Sequence, residues 1–265
     1  MPASRDLGAV TVVALRDAAG VFPDPLSEVF PQVTEDQWRQ AGELDPDAVR
    51  DGRWHLQFRC FACRLDSGRV ILVDTGIGPT DAPARDWAPV PGRLPEELAA
   101  AGIDPDAVDT VVVTHLHTDH IGWAVSNSTP YFRNARYLLQ RAEVEVIDAR
   151  RPAAAEWLLQ PLRSTDQLSV VDGEERLGAG VRVVATPGHT PGHQSVVVES
   201  GDEWLVVTGD LLVHAVQLVD PTLAYASDMD PDAARASRMD LFRDLAARGR
   251  GTLATSHMTE PFTPL

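Results

Sequence analysis

The feature that most constrains this chain is a cluster of histidines that directly follows an apolar run. Residues 108–115 read VDTVVVTH, which is typical of a buried strand, and the chain continues to position 123 as LHTDHIGW. Three of the eight histidines thus fall within six residues, which a surface loop rarely acquires by chance. Imidazole and carboxylate groups are the ligands expected for zinc, iron or manganese. The cluster therefore predicts a metal site at the end of a strand, formed by His115, His117, Asp119 and His120.

Three residues further along the chain repeat this arrangement. His189 ends the run VRVVATPGH, Asp210 ends EWLVVTGD and His257 ends TLATSH. Taken singly, a histidine at a strand end is more often a polar residue with satisfied hydrogen bonds than a metal ligand. Taken together, the three residues place metal-type ligands at successive strand ends, where sites in α/β proteins gather. We therefore predict that they join the first cluster.

The hydrophobic pattern predicts an α/β protein. Strands are predicted over residues 9–15, 55–65, 70–76, 108–115, 131–140, 181–189, 194–200, 203–210 and 252–257. Helices are predicted over residues 95–101, 141–149 and 230–249. In the last helix, Asp230 suits the N-cap, Pro231 the first turn and Gly249 the stop.

The order of these elements predicts two half-domains that face each other, with two sheets inside and helices outside. Since no flexible linker separates the halves, we expect one domain over residues 1–265. Its N-terminal part, 1–53, is predicted to be a strand plus a covering segment. Residues 20–53 contain four prolines and are too long for a simple connection. We expect this segment to be irregular and to cover or line the site.

Composition excludes several functions. The formal net charge of −16 disfavours binding to nucleic acid or to an anionic membrane surface. No run approaches the roughly 18 apolar residues of a membrane helix, and the N-terminus lacks a signal-peptide pattern, so we expect a cytoplasmic protein. Cys60 and Cys63 lie in one predicted strand, where alternation places them on opposite faces. They are therefore better interpreted as buried filler than as a redox or zinc pair.

The motif H-x-H-x-D-H, followed by Gly-His, Gly-Asp and Ser-His, resembles the metallo-β-lactamase superfamily. The run VDTG at 73–76 matches an early motif of that family, and the resemblance extends over about residues 55–257. It implies an αββα four-layer sandwich with the site along one edge of the sheets. It also implies two divalent metal ions, most simply zinc, with iron, manganese or cobalt as alternatives. The implied ligands are His115, His117 and His189 for one ion, Asp119, His120 and His257 for the other, and Asp210 as a bridge.

The run HIGW, followed by PYFRNARYLLQRAEVE, resembles the branch that contains acyl-homoserine-lactone lactonases and methyl parathion hydrolases. The run GDLLVHAVQLVDP, followed by the helix predicted over 230–249, is more similar to the parathion hydrolases. The tyrosine that the lactonases carry shortly after the bridging aspartate has no counterpart in residues 211–217. The resemblance implies that a metal-bridging hydroxide attacks the carbonyl of a small carboxylic ester or lactone, with Asp119 and Asp210 as catalytic carboxylates. Phosphotriester and thioester hydrolysis are the alternatives. A persulfide dioxygenase with one iron and a non-catalytic metal-binding protein are the rival classes. A homodimer is a further expectation from the resemblance.

Four other residues are candidates for roles around the metals. Asp74 is expected either to accept a hydrogen bond from a ligand imidazole or to cap backbone N–H groups. His214 is expected to face the substrate. Trp123 is predicted to form a pocket wall or to be a core aromatic residue. His193 is expected to pack or form hydrogen bonds near the site.

Overall fold

The fold is described from a computed structural model, in which residues 2–248 and 250–264 are placed. The strands are β1 Ser4–Leu7, β2 Val10–Val21, β3 Val49–Arg50, β4 Arg53–Leu65, β5 Val70–Val73, β6 Val108–Val112, β7 Val125–Ser126, β8 Thr129–Pro130, β9 Arg136–Gln140, β10 Leu168–Val171, β11 Glu175–Gly178, β12 Val181–Ala185, β13 Gln194–Ser200, β14 Glu203–Val207, β15 Arg250–Ala254 and β16 Phe262–Pro264. The α-helices are α1 Leu26–Val29, α2 Glu35–Leu44, α3 Leu94–Ala100, α4 Arg141–Arg150, α5 Pro152–Ala154, α6 Gln160–Ser164, α7 Val216–Val219 and α8 Pro231–Arg248.

Two large sheets organise the part of the chain that is placed. The first has the order β1-β2-β4-β5-β6-β9-β10, with β3 paired to β4, and the second has the order β11-β12-β13-β14-β15-β16. β5 and β6 run parallel in the first sheet, and β14 and β15 run parallel in the second. β7 and β8 form a separate small hairpin. Parallel neighbours end at the same edge of a sheet, so residues that follow these strands are brought together.

Side-chain alternation along the strands separates three apolar cores and so produces four layers. Val196 and Val198 of β13 face the core between the two sheets, whereas Val197 faces a core that the second sheet shares with α2. The outer face of the first sheet packs against α3 and α4. The predicted αββα sandwich is therefore confirmed. Cys60 and Cys63 are unpaired, buried and in different cores, as alternation predicted.

The prediction of an irregular segment over residues 20–53 was wrong in detail. β2 extends to Val21, and the ten-residue helix α2 follows. Thr34 begins α2 with a capping box, in which its side chain accepts from the Gln37 backbone and the Gln37 side chain accepts from the Thr34 N–H. The amphipathic face of α2 buries Ala41 in the outer core of the second sheet. This segment is therefore a helical cover and not a loop.

Several predicted strands are shorter than the sequence pattern indicated. The strand predicted over 131–140 begins only at Arg136, because residues 131–135 form turns after the β7–β8 hairpin. The strands predicted to reach the ligands end three to four residues before them, and turns carry the ligands instead. α8 begins as predicted, with the Asp230 carboxylate accepting the Ala233 N–H, while the predicted stop at Gly249 lies outside the described residues. Within the described chain, no helix is both long and apolar enough to span a bilayer.

Candidate metal centre

The seven predicted metal ligands converge at one edge of the sandwich. The loop after β6 carries four of them, and the loops after β12, β14 and β15 each carry one. All of the ligands except His117 are buried, and each offers a nitrogen or oxygen atom toward a common space. They fall into two groups of mutually close donor atoms, His115, His117, His189 and Asp210 in one and Asp119, His120 and His257 in the other.

Asp210 lies between the two groups and turns one carboxylate oxygen to each. Its Oδ2 is 3.3 Å from His189 Nε2 and 3.7 Å from His115 Nε2. Its Oδ1 is 3.2 Å from His120 Nε2 and 3.1 Å from His257 Nε2. One carboxylate thus faces two sets of imidazoles with separate oxygens, which is the arrangement required of a bridging ligand.

Asp119 and His117 complete the two groups. Asp119 Oδ2 is 3.5 Å from His120 Nε2 and 3.6 Å from His257 Nε2. His117 presents Nδ1, which lies 3.0 Å from His115 Nε2 and 2.9 Å from His189 Nε2. Three imidazole nitrogens therefore meet in the first group, and two imidazole nitrogens and a carboxylate oxygen meet in the second.

The outer nitrogens of the ligand histidines are held by hydrogen bonds that fix their tautomers. His120 Nδ1 lies 2.8 Å from Asp74 Oδ2 and His189 Nδ1 lies 3.0 Å from Asp228 Oδ1. His257 Nδ1 donates to the Gln57 carbonyl over 2.8 Å. When these imidazoles are neutral, Nδ1 carries the proton and Nε2 turns a lone pair toward the space between the two groups.

His115 is fixed in the same way through a relay. The Thr114 hydroxyl donates to Asp74 Oδ2 over 2.8 Å, so it accepts from His115 Nδ1, which is 3.0 Å away. Asp74 also accepts the Thr114 N–H over 2.7 Å. Asp74 adopts a left-handed backbone conformation with φ of +60°. Asp74 therefore makes both kinds of contact considered for it, since it holds imidazoles of the proposed ligands and caps a backbone N–H.

The donor set fits divalent cations. His120 Nε2 and Asp210 Oδ1 are buried and lack a hydrogen bond of good geometry although they are 3.2 Å apart. Burial and neighbouring imidazoles hold the pKa of His115 well below its ordinary value. Burial also lowers the pKa of His120, but the carboxylates led by Asp210 outweigh this and raise the pKa well above its ordinary value. Protons thus satisfy only some of the lone pairs that converge here. A divalent ion such as zinc would satisfy the others, because imidazole and carboxylate groups are its usual ligands.

His193 and Glu143 position the ligand loops without reaching the centre. His193 Nε2 accepts the Asp210 N–H over 3.0 Å, and burial lowers the pKa of His193 to about 3. Glu143, on α4, is 1% exposed and accepts the Leu116 N–H at 2.6 Å, the Gly192 N–H at 2.9 Å and the Thr190 hydroxyl at 2.8 Å. It therefore ties the loop after β6 to the loop after β12. The sequence analysis anticipated the hydrogen bonding of His193 and missed Glu143.

A cavity of about 520 Å³ opens over the centre, with His117, Asp119, Asp210 and His257 in its wall. The rest of the wall is mainly apolar and includes Phe22, Trp54, Leu56, Trp87, Leu116 and Ile121. Phe22 belongs to the N-terminal segment, which therefore lines the cavity as expected. Arg150 and Arg151 also line it, and neither was singled out in the sequence.

Tyr225 is a cavity residue that the sequence analysis missed. Its ring stacks on the His189 imidazole at a centroid distance of 5.7 Å and an interplanar angle of 12°. Burial, and then the carboxylate of Asp210, raise the pKa of Tyr225 above its ordinary value. The phenol therefore keeps its proton beside the centre. Tyr225 lies 15 positions after Asp210, outside residues 211–217.

Two predicted substrate-facing residues lie elsewhere. His214 does not line the main cavity but faces a second one of about 460 Å³ beneath α2, where it packs against Trp38 and Trp54. Trp123 is a core aromatic residue that packs against Tyr131. Its Nε1 donates to Asp17 over 3.1 Å. Neither residue is among those that line the cavity over the centre.

Comparison with known proteins matches these observations. The family model described as the metallo-beta-lactamase superfamily matches residues 60–257. An N-acyl homoserine lactonase of Bacillus cereus is 31% identical over 166 residues, which are 58% of this chain and 62% of that protein. The chain thus spans about three fifths of the length of the curated relatives it matches.

Solved structures share the whole architecture. The structure titled as hydrolase AbOPH in the beta lactamase superfamily superposes with a TM-score of 0.82 at 25% identity and covers 98% of this chain and 91% of its own. The structure titled AidC, a dizinc quorum-quenching lactonase in complex with its product, gives a TM-score of 0.79 at 21% identity, with 100% and 96% coverage. At that identity, the second likeness shows the fold alone.

Proposed function

Because the chain belongs to the metallo-β-lactamase superfamily, we propose that it is a metal-dependent hydrolase that cleaves carboxylic esters or lactones of small molecules. The observation that carries this proposal is the position of Asp210, whose two oxygens face two separate imidazole groups at 3.1–3.7 Å. The first group, His115, His117 and His189, would hold one divalent ion, and Asp119, His120 and His257 would hold the other. Zinc suits this donor set best.

Two divalent cations held in this way supply Lewis acidity and lower the pKa of water, so that hydroxide is available near neutral pH. The residues of the chain then have separate tasks. Asp210 fixes the spacing of the two groups, and Asp119 is the carboxylate beside the cavity that would move a proton to the leaving alkoxide. Overall, water adds across the acyl C–O bond, and the products are a carboxylate, an alcohol and a released proton.

Tyr225 is placed to bind the substrate. Its protonated phenol is a hydrogen-bond donor on the cavity wall, and the stacking on His189 fixes the ring. We infer that it donates to the carbonyl oxygen, where negative charge develops during attack. Tyr225→Phe keeps the stacked ring and removes this donor, so kcat should fall by about tenfold to a hundredfold while metal content stays the same. An unchanged kcat would exclude this role.

The apolar wall of the cavity supports a small organic substrate. A volume of about 520 Å³ accommodates a molecule with an acyl chain or ring. The relatives named N-acyl homoserine lactonase act, by their name, on a lactone of this kind, which favours ester or lactone over phosphotriester or thioester substrates.

The test is hydrolysis of a panel that contains an acyl lactone, an aryl ester, a thioester and a phosphotriester. Metal-loaded protein, chelator-treated protein and the Asp210→Asn variant are compared, with Asp66→Asn in an exposed turn as the matched control. We expect turnover of the lactone or ester by the loaded protein and by the control variant, and loss of turnover in the other two samples. Turnover of the phosphotriester or thioester alone would show that the enzyme acts on that class and not on carboxylic esters or lactones.

The rival classes give different results in the same samples. A persulfide dioxygenase would carry one iron and hydrolyse no member of the panel. A non-catalytic binding protein would carry its metals and hydrolyse none. Asp210→Asn protein that kept two metals and full activity would overturn the bridging role.

A further inference from the structure

Two adjacent arginines lie on the wall of the catalytic cavity, and we propose that they select substrates that carry a negative charge remote from the scissile bond. Arg150 is the last residue of α4, and Arg151 follows it before the short helix α5. Both line the cavity that contains His117 and Asp210. The inference rests on the proposed hydrolase function and names its substrate class: an ester or lactone with an apolar body that ends in a carboxylate or similar anion.

The first argument is that both guanidinium groups lack a partner among the residues placed in the structure. The neighbouring arginines on this side of the molecule are paired, because Arg141 binds Asp172 at 2.9 Å and Arg163 binds Asp148 at 2.7 Å. Asp148 is the acidic residue closest in sequence to Arg150, and its carboxylate is already paired with Arg163. The chain has 39 acidic residues for 23 arginines, so two adjacent arginines on one cavity wall concentrate positive charge in an acidic molecule.

The second argument is the relation of Arg151 to the centre. Arg151 lines the same cavity as His117, Asp119 and Asp210. One substrate that fills this cavity of about 520 Å³ can therefore contact the arginines and the proposed metal ligands together. Arg150 and Arg151 are the only Arg or Lys side chains among the residues that line this cavity.

The third argument concerns the apolar side chains that line the cavity together with the arginines. They include Leu116, Trp87, Ala153 and Ala154. Such walls lower the local dielectric constant and strengthen attraction to a charged ligand. A planar guanidinium group matches a carboxylate with two parallel hydrogen bonds. Since the net charge of −16 repels anions from the rest of the surface, this rim is where an anionic substrate gains affinity.

Two matched esters test the proposal by turnover. Nitrophenyl hemiglutarate and nitrophenyl pentanoate share a leaving group and differ in whether the acyl chain ends in a carboxylate or a methyl group. The double variant Arg150→Gln, Arg151→Gln is compared with wild type, and Arg133→Gln, an exposed arginine outside this cavity, is the control. We expect kcat/KM for the hemiglutarate to fall about three- to tenfold and that for the pentanoate to change less than about twofold.

Binding tests the same arginines without turnover. Anilinonaphthalene sulfonate and the neutral phenyl-naphthylamine are aromatic probes that differ in one anionic group. The double variant should weaken binding of the sulfonate about three- to tenfold, with added salt removing the difference, and should leave the neutral probe unchanged. Equal loss for both probes, or for neither, would overturn the proposal. Failure of the hydrolase function shows separately, as absence of turnover of both esters by metal-loaded wild type.

Discussion

At the scale of single residues, Asp228 fixes how one ligand histidine is presented. Its Oδ1 binds His189 Nδ1 at 3.0 Å, and its Oδ2 accepts the Tyr225 N–H at 3.1 Å. One buried carboxylate thus orients both a proposed metal ligand and the aromatic ring stacked on it. Groups in this position tune metal affinity although they do not touch the ion.

Asp228→Ala should therefore weaken the first metal group. We expect the affinity for one of the two ions to fall about 10- to 100-fold while the other ion is retained, as measured by competition with a chelating dye. The control is Asp230→Ala in the same loop. This substitution removes an N-cap from α8 and costs about 1 kcal/mol of stability, but it should leave metal affinity unchanged. An Asp228→Ala protein that bound both ions as tightly as wild type does would contradict the role of Asp228.

The seven proposed ligands could be predicted from the sequence, whereas the residues that support them could not, for a physical reason. Histidines and aspartates that follow apolar strands can be recognised from the sequence, because the strand pattern is local. Asp228, Tyr225 and Glu143 lie in loops or on helices whose positions depend on tertiary packing. Tyr225 is 36 residues from His189 in sequence and stacked on it in space. No local pattern predicts that contact.

At the scale of elements, α2 shows a signal that the sequence analysis passed over. Thr34 followed by Gln37 three residues later is a capping box, and the residues between Pro31 and Pro46 have the length of a helix. The four prolines of this region instead favour an irregular segment. A proline disrupts a helix only in the helix interior, and the prolines of this segment lie outside α2. The helix from residue 35 to 44 was thus predictable, whereas the cavity it covers was not.

Glu143 of α4 joins two ligand loops, and its removal has a defined cost. Glu143→Ala would leave the buried Leu116 and Gly192 N–H groups and the Thr190 hydroxyl without their acceptor. We expect the free energy of unfolding to fall by roughly 3 kcal/mol, measured by denaturant titration of the metal-loaded protein. Glu145→Ala, exposed on the same helix, should change it by less than about 0.5 kcal/mol. Equal values for the two variants would show that the loops do not depend on Glu143.

His214 beneath α2 makes this part of the protein sensitive to acid. Burial lowers its pKa from 6.5 to about 4. Between these pH values the His214 imidazole therefore binds a proton in the unfolded chain but not in the folded chain. The contribution to stability is therefore present above pH 6.5 and is lost as the pH falls toward 4. His214→Phe should remove this dependence, which amounts to roughly 3 kcal/mol over the window.

The measurement is the free energy of unfolding of His214→Phe protein and wild type at several pH values from 6.5 to 4. The variant loses one hydrogen bond to the Val216 N–H, which lowers its stability by about 1 kcal/mol at neutral pH. Its curve should nevertheless be flatter than that of wild type. His193 remains in both proteins and contributes the same acid dependence to each, so the difference isolates His214. Parallel curves would refute the assignment.

At the scale of the whole molecule, the centre joins the two sheets of the sandwich. His115, His117, Asp119 and His120 follow β6 of the first sheet, whereas His189, Asp210 and His257 follow strands of the second. Each of the two metal groups draws ligands from both sheets. Ions bound there would hold the sheets together and stabilise only the folded state. At a free metal concentration 100 times the dissociation constant, this linkage adds about 2.7 kcal/mol per ion.

The stabilisation by bound ions should depend on pH, and the pKa values of the histidines determine the direction. In metal-free protein, burial lowers the pKa of His189, but hydrogen bonds with Asp210 and Asp228 outweigh it and raise the pKa from 6.5 to about 9. A folded-state pKa above the unfolded value means that the protonated imidazole stabilises the fold. That contribution is complete below pH 6.5 and is lost as the pH rises through 9. The pKa values of His120 and His257 are also raised, so they act in the same direction.

Metal-free protein should therefore lose stability between pH 6.5 and 9, while metal-loaded protein should not, because the ions replace those protons. The buried groups whose pKa values are lowered, His193 and His214 among them, titrate below this window and leave it undisturbed. Thermal unfolding of chelator-treated and zinc-loaded samples across these pH values measures the difference, which should widen as the pH rises. A gap that stayed constant or narrowed would mean that the ions do not displace protons from these histidines, and the assignment of the ligand set would fail with it.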